Sequence, residues 1–101
     1  MAVSWDKQPA CRIIANANFT LTTSAQTGSA LGAQTYQVRV ATNNAVVTAY
    51  IKIGDGSPAA TSANDAVMGA NQIDYFTCTP GQRVSVLGGT AAGIVSVSEM
   101  S

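Results

Sequence analysis

The side chains that most often carry out chemistry are few in this sequence and far apart. There is no histidine, which removes the commonest general base, the commonest zinc ligand and every Ser-His or Cys-His nucleophile pair. Two cysteines, Cys11 and Cys78, are too few for a closed zinc site. The residue types therefore predict no catalytic residue, no metal site and no cofactor.

The acidic residues do not form a marked carboxylate pair. They are Asp6, Asp55, Asp65, Asp74 and Glu99. Asp55 and Asp65 are expected at solvated turn positions. The run Gly54-Asp55-Gly56 lacks the alternating oxygen ligands of an EF-hand and the Lys-Ser/Thr of a P-loop, so it predicts a turn.

The two cysteines lie in or beside apolar runs. Such thiols usually behave as small buried hydrophobes in a reducing compartment. We predict that both are unpaired, although a disulfide between the first strand and a late one is possible and sequence alone does not exclude it.

Composition indicates a folded domain with no net charge. Hydrophobic residues make up 47% of the 101 residues and charged residues only 10%, with five cations balancing five anions. The cations are scattered, which argues against a nucleic-acid surface. A surface with so little charge is better explained if partner subunits cover part of it.

No run approaches the length of a membrane helix, and the first residues lack the layout of a secretory signal. The Asn18-Phe19-Thr20 sequon is therefore expected to be fortuitous. We expect a chain that is made in the cytoplasm and has no membrane partner.

Apolar and polar residues alternate with period two, which is typical of strands with one dry face. The clearest strands are predicted at 34–40, 45–53, 82–87 and 93–99, with others at 11–15, 17–22 and 73–78 and a short one near Val67 and Met68. At most one helical turn is expected, near Ser62 to Ala66. This pattern predicts a single all-β domain over residues 1–101, an antiparallel β-sandwich of jelly-roll-like form, with residues 1–10 as an N-terminal arm.

The alternation also predicts which residues form the core. The expected buried set is Val38, Val40, Val47, Ile51, Ile53, Val84, Val86, Val95 and Val97, with Phe19, Tyr36 and Phe76 as core aromatics. Asn43-Asn44 and Pro80-Gly81 are predicted to close tight hairpins. Residues 23–33 are expected to form a mobile or partner-contacting loop.

Trp5 is the one residue singled out as a candidate partner contact. A lone tryptophan in a terminal arm either folds back onto a sheet edge or anchors a neighbouring subunit. Both interpretations stay open. Tyr50, on the polar side of its strand, is expected to be a partly covered surface aromatic.

A series of short motifs runs from residue 38 to the end of the chain. They are Val38-Arg39-Val40-Ala41-Thr42, Ile51-Lys52-Ile53-Gly54-Asp55-Gly56-Ser57-Pro58-Ala59-Ala60-Thr61, Asp65-Ala66-Val67-Met68, Asp74-Tyr75-Phe76, Thr79-Pro80-Gly81-Gln82 and Gly93-Ile94-Val95-Ser96-Val97-Ser98-Glu99-Met100. The series resembles a pattern in small structural proteins of tailed bacteriophages and prophages. The resemblance covers about three-fifths of the chain; Asp74 stands where Glu is usual, and the N-terminal third has no counterpart.

This resemblance implies a virion component that decorates the outside of the phage head, as a capsid decoration (cement) protein. It further implies a homo-oligomer, a dimer or trimer, that binds the major capsid protein and is made in the host cytoplasm.

A second hypothesis is a tail or baseplate module, or another β-sandwich that binds carbohydrate or a receptor. Carbohydrate modules usually expose two or three coplanar aromatics, whereas Tyr36, Phe19 and Phe76 are expected in the core here. An enzyme is the third and weakest hypothesis, because the sequence offers neither a nucleophile-base pair nor metal ligands.

Overall fold

A computed structural model describes residues 13–62, 65–89 and 92–100. Within these residues the chain forms eight β-strands and no helix. The strands are β1 (Ile13–Thr20), β2 (Gln26–Thr27), β3 (Gln37–Thr42), β4 (Ala49–Gly54), β5 (Ala66–Met68), β6 (Ile73–Thr77), β7 (Arg83–Gly88) and β8 (Ile94–Met100).

The strands form two four-stranded sheets that pack face to face. The first sheet has the order β1-β8-β3-β6 and the second the order β2-β7-β4-β5, and every strand pair is antiparallel. This strand order, in which most connections cross from one sheet to the other, is that of an eight-stranded jelly roll. The predicted fold class is confirmed.

The core lies between the sheets and follows from the period-two alternation. On β3, Val38 and Val40 are fully buried, while Gln37 and Arg39 are only partly covered. Val40 pairs with Val97 of β8 across the first sheet, so inward side chains of neighbouring strands stand side by side. The predicted burial is confirmed for most of the set: Val38, Val40, Ile51, Val84, Val86, Val95 and Val97 are buried, and Ile53, Phe19 and Phe76 pack partly buried against them.

Two predicted core residues are exposed instead. Val47 is 65% exposed and Tyr36 is 60% exposed. Both stand just outside a strand, since β4 begins at Ala49 and β3 begins at Gln37. Before β4 the inward position belongs to Val46, which is 1% exposed. The alternation is therefore broken in the connection that leads to Ala49, and Val47 points outward.

Both predicted hairpins are wrong, although both turns exist. Val46 N donates to Asn43 O at 3.2 Å, and Gln82 N donates to Thr79 O at 3.2 Å with Gly81 at φ +89°. The strands that flank each turn belong to different sheets: β3 and β4 in one case, β6 and β7 in the other. Turn residues set where the chain reverses, but long-range pairing sets which sheet it enters, so these turns are corners of the sandwich.

The N-terminal half differs from the prediction in two further ways. The strands expected at 11–15 and 17–22 are one continuous strand over the described residues, β1, with an irregularity of register between Ile13 and Ala15. The expected loop at 23–33 contains β2, and Leu31 is buried. Leu31 N donates to Gln82 O at 2.8 Å and its carbonyl accepts from Gly81 N at 3.0 Å, so this segment is anchored to the β6–β7 corner.

Truncation of Ile51 tests the assignment of faces. Ile51→Ala should lower the free energy of unfolding by ~2–5 kcal/mol, because it removes buried methyl groups and leaves a cavity. The matched control is Val67→Ala, which truncates a side chain that is 62% exposed and should change stability by less than ~0.5 kcal/mol. Denaturant unfolding measures both, and equal effects would contradict the assignment.

Two glycines with nearly the same backbone conformation separate steric clash from backbone strain. Gly93 and Gly81 have φ of +91° and +89°. A Cβ on Gly93 would lie 2.5 Å from Cγ2 and 2.7 Å from N of Val46, whereas Gly81 faces open space. Gly93→Ala should therefore destabilise the protein by ~1–3 kcal/mol more than Gly81→Ala. Equal losses in thermal or denaturant unfolding would show that this close approach does not exist.

Candidate interaction surface

The residue predicted to contact a partner, Trp5, and the predicted arm at 1–10 lie outside the described residues. Cys11 and Asp6 lie outside them as well. Within the described residues, the two sheets and the segments that cover them supply the candidate surfaces.

The acidic side chains within the described residues are dispersed, and two of them take turn positions. Asp55 is exposed in the bend after β4. Asp65 accepts hydrogen bonds from Thr61 N at 2.6 Å and Thr61 Oγ1 at 3.1 Å, which closes the turn before β5. No three cysteine or acidic side chains come together as metal ligands in this part of the chain. No helix there could span a membrane.

The outer face of the first sheet carries a network of neutral polar groups. Ser96 Oγ and Ser98 Oγ of β8 both donate to Asn16 Oδ1 of β1, at 2.8 and 2.7 Å. Asn16 Nδ2 in turn donates to Asn18 Oδ1 at 3.0 Å. This network orients two amides beside a shallow groove of about 340 Å³ that continues past Ile94. The groove can offer hydrogen bonds but no charge.

Apolar side chains flank this polar network on the same face. Register places Ala41 opposite both Ser96 and Ile73, and Arg39 opposite both Ser98 and Tyr75. Ile73, Tyr75 and Ile94 are each between 42% and 52% exposed. Three exposed apolar side chains therefore share this face with the oriented amides.

The outer face of the second sheet is partly covered by the chain itself. Thr27 Oγ1 donates to Pro58 O at 2.6 Å, and Ala60 N donates to Ser85 Oγ at 3.0 Å. Pro58, Ala60 and Ser85 are buried as a result. Sequence reasoning identified Gly54–Pro58 as a turn but gave no indication that the following residues fold back over the sheet.

Beside the exposed Lys52 of β4, the same face carries an apolar row across three strands. Tyr50 of β4 lies opposite Val67 of β5 on one side and Leu87 of β7 on the other. Val67 is exposed, whereas Tyr50 and Leu87 are partly covered. The expectation that Tyr50 is a partly covered surface aromatic is confirmed.

A cleft of about 230 Å³ opens between the sheets beside β1. Its walls are largely apolar, and Glu99 contributes a carboxylate. Glu99 Oε1 accepts from Gly32 N at 2.8 Å and from the fully buried Thr35 Oγ1 at 2.6 Å. Glu99 therefore holds the 32–35 turn against β8. Glu99 follows Val95 and Val97 with the same period of two, so the alternation already placed it on the inward face of β8. The sequence prediction did not identify this role.

Cys78 is a free thiol buried beside the same turn. Its Sγ lies 3.7 Å from Thr35 O. Burial raises the pKa of the thiol, and the nearby Glu99 carboxylate raises it further. The prediction of an unpaired, buried thiol is confirmed for Cys78.

Comparisons with known proteins find no matching family model, no matching curated protein and no matching solved structure.

Burial of Cys78 predicts slow thiol chemistry in the folded state. In a Cys11→Ser variant, Ellman's reagent should modify Cys78 at least ~10-fold more slowly in native than in denatured protein, because access needs a local opening of more than ~1.4 kcal/mol. Denatured wild-type protein without reductant should yield two free thiols. Fast native modification, or fewer than two thiols, would contradict the prediction.

The raised pKa also fixes the sign of a pH effect. The folded state disfavours the thiolate, so the stability contributed by Cys78 is fully present below the thiol's ordinary pKa of 9.0 and is lost as pH rises above it. Cys78→Ala should abolish that part of the alkaline loss in denaturant unfolding. Parallel pH profiles for the two proteins would contradict the burial of this thiol.

Proposed function

We propose that the chain is a non-enzymatic structural protein of a tailed-phage virion, which decorates the outer surface of the head as a homo-oligomer. The observation that carries the proposal is an eight-stranded jelly roll whose weakly charged surface leaves apolar side chains uncovered on both sheets. Jelly rolls are common among viral capsid domains, although they also occur in lectins and cupins, so the fold alone does not decide the function.

The uncovered side chains support a role in which large surfaces are covered. Ile73, Tyr75 and Ile94 lie on the first sheet, and Val67 stands at the edge of the apolar row on the second. Only 10% of the residues are charged, so charge repulsion does little to keep separate copies apart. Both features suit a protein that works within an assembly.

The resemblance to phage structural proteins supports the same proposal. Its motifs coincide with structural features of the fold: the turn after β4 and the covering segment at 58–60, the corner at Thr79–Gln82, and β8. Each of these features belongs to the framework of the sandwich: a turn, a covering segment, a corner or a strand.

Such a protein would stabilise a shell by mass action. A subunit that binds the assembled major capsid protein lattice, and not free capsid monomers, shifts the equilibrium towards the intact shell. An oligomer adds avidity, since its second contact forms at high effective concentration after the first.

A tail or baseplate module that binds carbohydrate or a receptor is the second candidate, and one correction to the prediction favours it. Tyr36 is exposed and not in the core, and Tyr75 is exposed as well. The oriented amides of Asn16 and Asn18 could bond sugar hydroxyls. Tyr36 precedes β3, however, whereas Tyr75 lies within β6 opposite Arg39, so the two tyrosines do not stand side by side as in the coplanar platform typical of such modules.

Binding to separated virion parts distinguishes the two candidates. Labelled protein should co-sediment with purified heads of the phage that encodes it, in saturable amounts, and should raise the temperature at which those heads open. Unassembled capsid subunits are the matched control and should bind at least ~10-fold more weakly, because the lattice site is then incomplete. Binding to tails or to a glycan array, with none to heads, would overturn the decoration proposal in favour of the second candidate.

A further inference from the structure

Among the described residues, one of the four sheet-edge strands differs from the other three. Within the described residues, the edge strands are β1 and β6 in the first sheet and β2 and β5 in the second. β2 has two residues and β5 has three, while β6 carries the charged Asp74. β1 has eight residues, Ile13–Thr20, with no charge and no proline. Short length and charge are the usual protections of an edge against pairing with another chain, and β1 lacks both.

Hydrogen bonds identify which main-chain groups of β1 face outward. Leu21 N donates to Gly93 O at 3.0 Å, one step beyond the β1–β8 ladder and in the same register. Because bonded and non-bonded pairs alternate in an antiparallel ladder, Ala15, Ala17 and Phe19 direct their N–H and C=O groups to β8. Asn16, Asn18 and Thr20 therefore direct theirs away from it, and on that side Thr20 O already accepts from Gln26 Nε2 at 2.6 Å.

The other side of β8 gives an independent check. Asn43 N donates to Ile94 O at 3.2 Å, in register with the β3–β8 ladder. The even-numbered residues of β8 thus form main-chain hydrogen bonds with β3, which leaves the odd-numbered residues to form them with β1. This agrees with the assignment from Leu21 and Gly93.

We propose that the outward edge of β1 pairs, antiparallel, with the same edge of a second copy of this chain. The two-fold axis passes at Ala17, so that Asn16 of one copy faces Asn18 of the other. Both residues direct their main chain outward, so each such pair exchanges two N–H···O bonds. The first sheet of one copy and the first sheet of the other then form one continuous eight-stranded sheet across the dimer.

This register makes the strand complementary to itself. Ala17 meets its own copy on the axis, and the small Ala15 lies opposite the large Phe19. The strand carries no charge and the chain carries a formal net charge of zero, so two copies approach without repulsion. The inference rests on the edge of β1 and holds whether or not the protein binds a capsid.

Asn18 provides a substitution that blocks the edge and spares the ladder to β8. Asn18→Pro removes an outward N–H, and proline is tolerated where that group faces solvent. Asn18→Thr is the matched control, because it also loses the amide bond with Asn16 but keeps the main-chain N–H. By analytical ultracentrifugation over ~1–100 µM, wild type and Asn18→Thr should dimerise, and Asn18→Pro should dimerise at least ~100-fold more weakly.

Disulfide trapping tests the register without relying on the proline variant. In a Cys11→Ser background, Ala17→Cys should cross-link two chains on mild oxidation, because a non-bonded antiparallel pair brings Cα atoms within the range for a disulfide. Ala15→Cys, which lies opposite Phe19, should not. Wild type that stays monomeric throughout the concentration range, dimers that persist in Asn18→Pro, or cross-links from Ala15→Cys alone would each overturn the proposal. So would dimerisation that appears only after residues 1–12 are removed, since the chain's own first segment would then cover the edge.

Discussion

Strand β8 is hydrogen-bonded along both edges, and the rest of the sandwich depends on that double pairing. The main-chain groups of its odd-numbered residues hydrogen-bond to β1, and those of its even-numbered residues hydrogen-bond to β3. The same period of two sends Val95 and Val97 into the core, followed by Glu99, which holds the 32–35 turn. A shift of β8 by one residue would expose the valines and break the Glu99 contacts together. The register of β8 therefore determines both the burial of the core valines and the position of the 32–35 turn beside Cys78.

The same constraint determines what β1 can offer to a partner. The main-chain N–H and C=O groups of Ala15, Ala17 and Phe19 are hydrogen-bonded to β8. Those of the residues between them therefore face outward, on a strand without charge. The amides on the adjoining face are already oriented by Ser96 and Ser98. An edge strand without charge, beside amides that are already hydrogen-bonded, is suited to main-chain pairing with another strand.

The sequence predicted the fold class and most of the core, because alternation is a local signal and the valine-rich runs are long enough to show it. It failed where the outcome depends on distant residues. Asn43-Asn44 and Pro80-Gly81 mark turns correctly, but the choice between hairpin and sandwich corner depends on β8 pairing with β3 and β7 pairing with β4. Val47 was misplaced because the apolar run that contains it begins before strand β4, which starts at Ala49. The cover at 58–60 and the anchoring role of Glu99 needed contacts over 25 residues or more, which periodicity cannot predict.

Residue-resolved amide hydrogen exchange along β1 tests the alternation and the open edge in one measurement. At low protein concentration the amides of Ala15, Ala17 and Phe19 should be protected, while those of Asn16, Asn18 and Thr20 exchange freely. At high concentration the amides of Asn16 and Asn18 should become protected as well, because the edge is then paired. Uniform protection along β1 at all concentrations, or free exchange of Asn16 and Asn18 even at high concentration, would contradict the account.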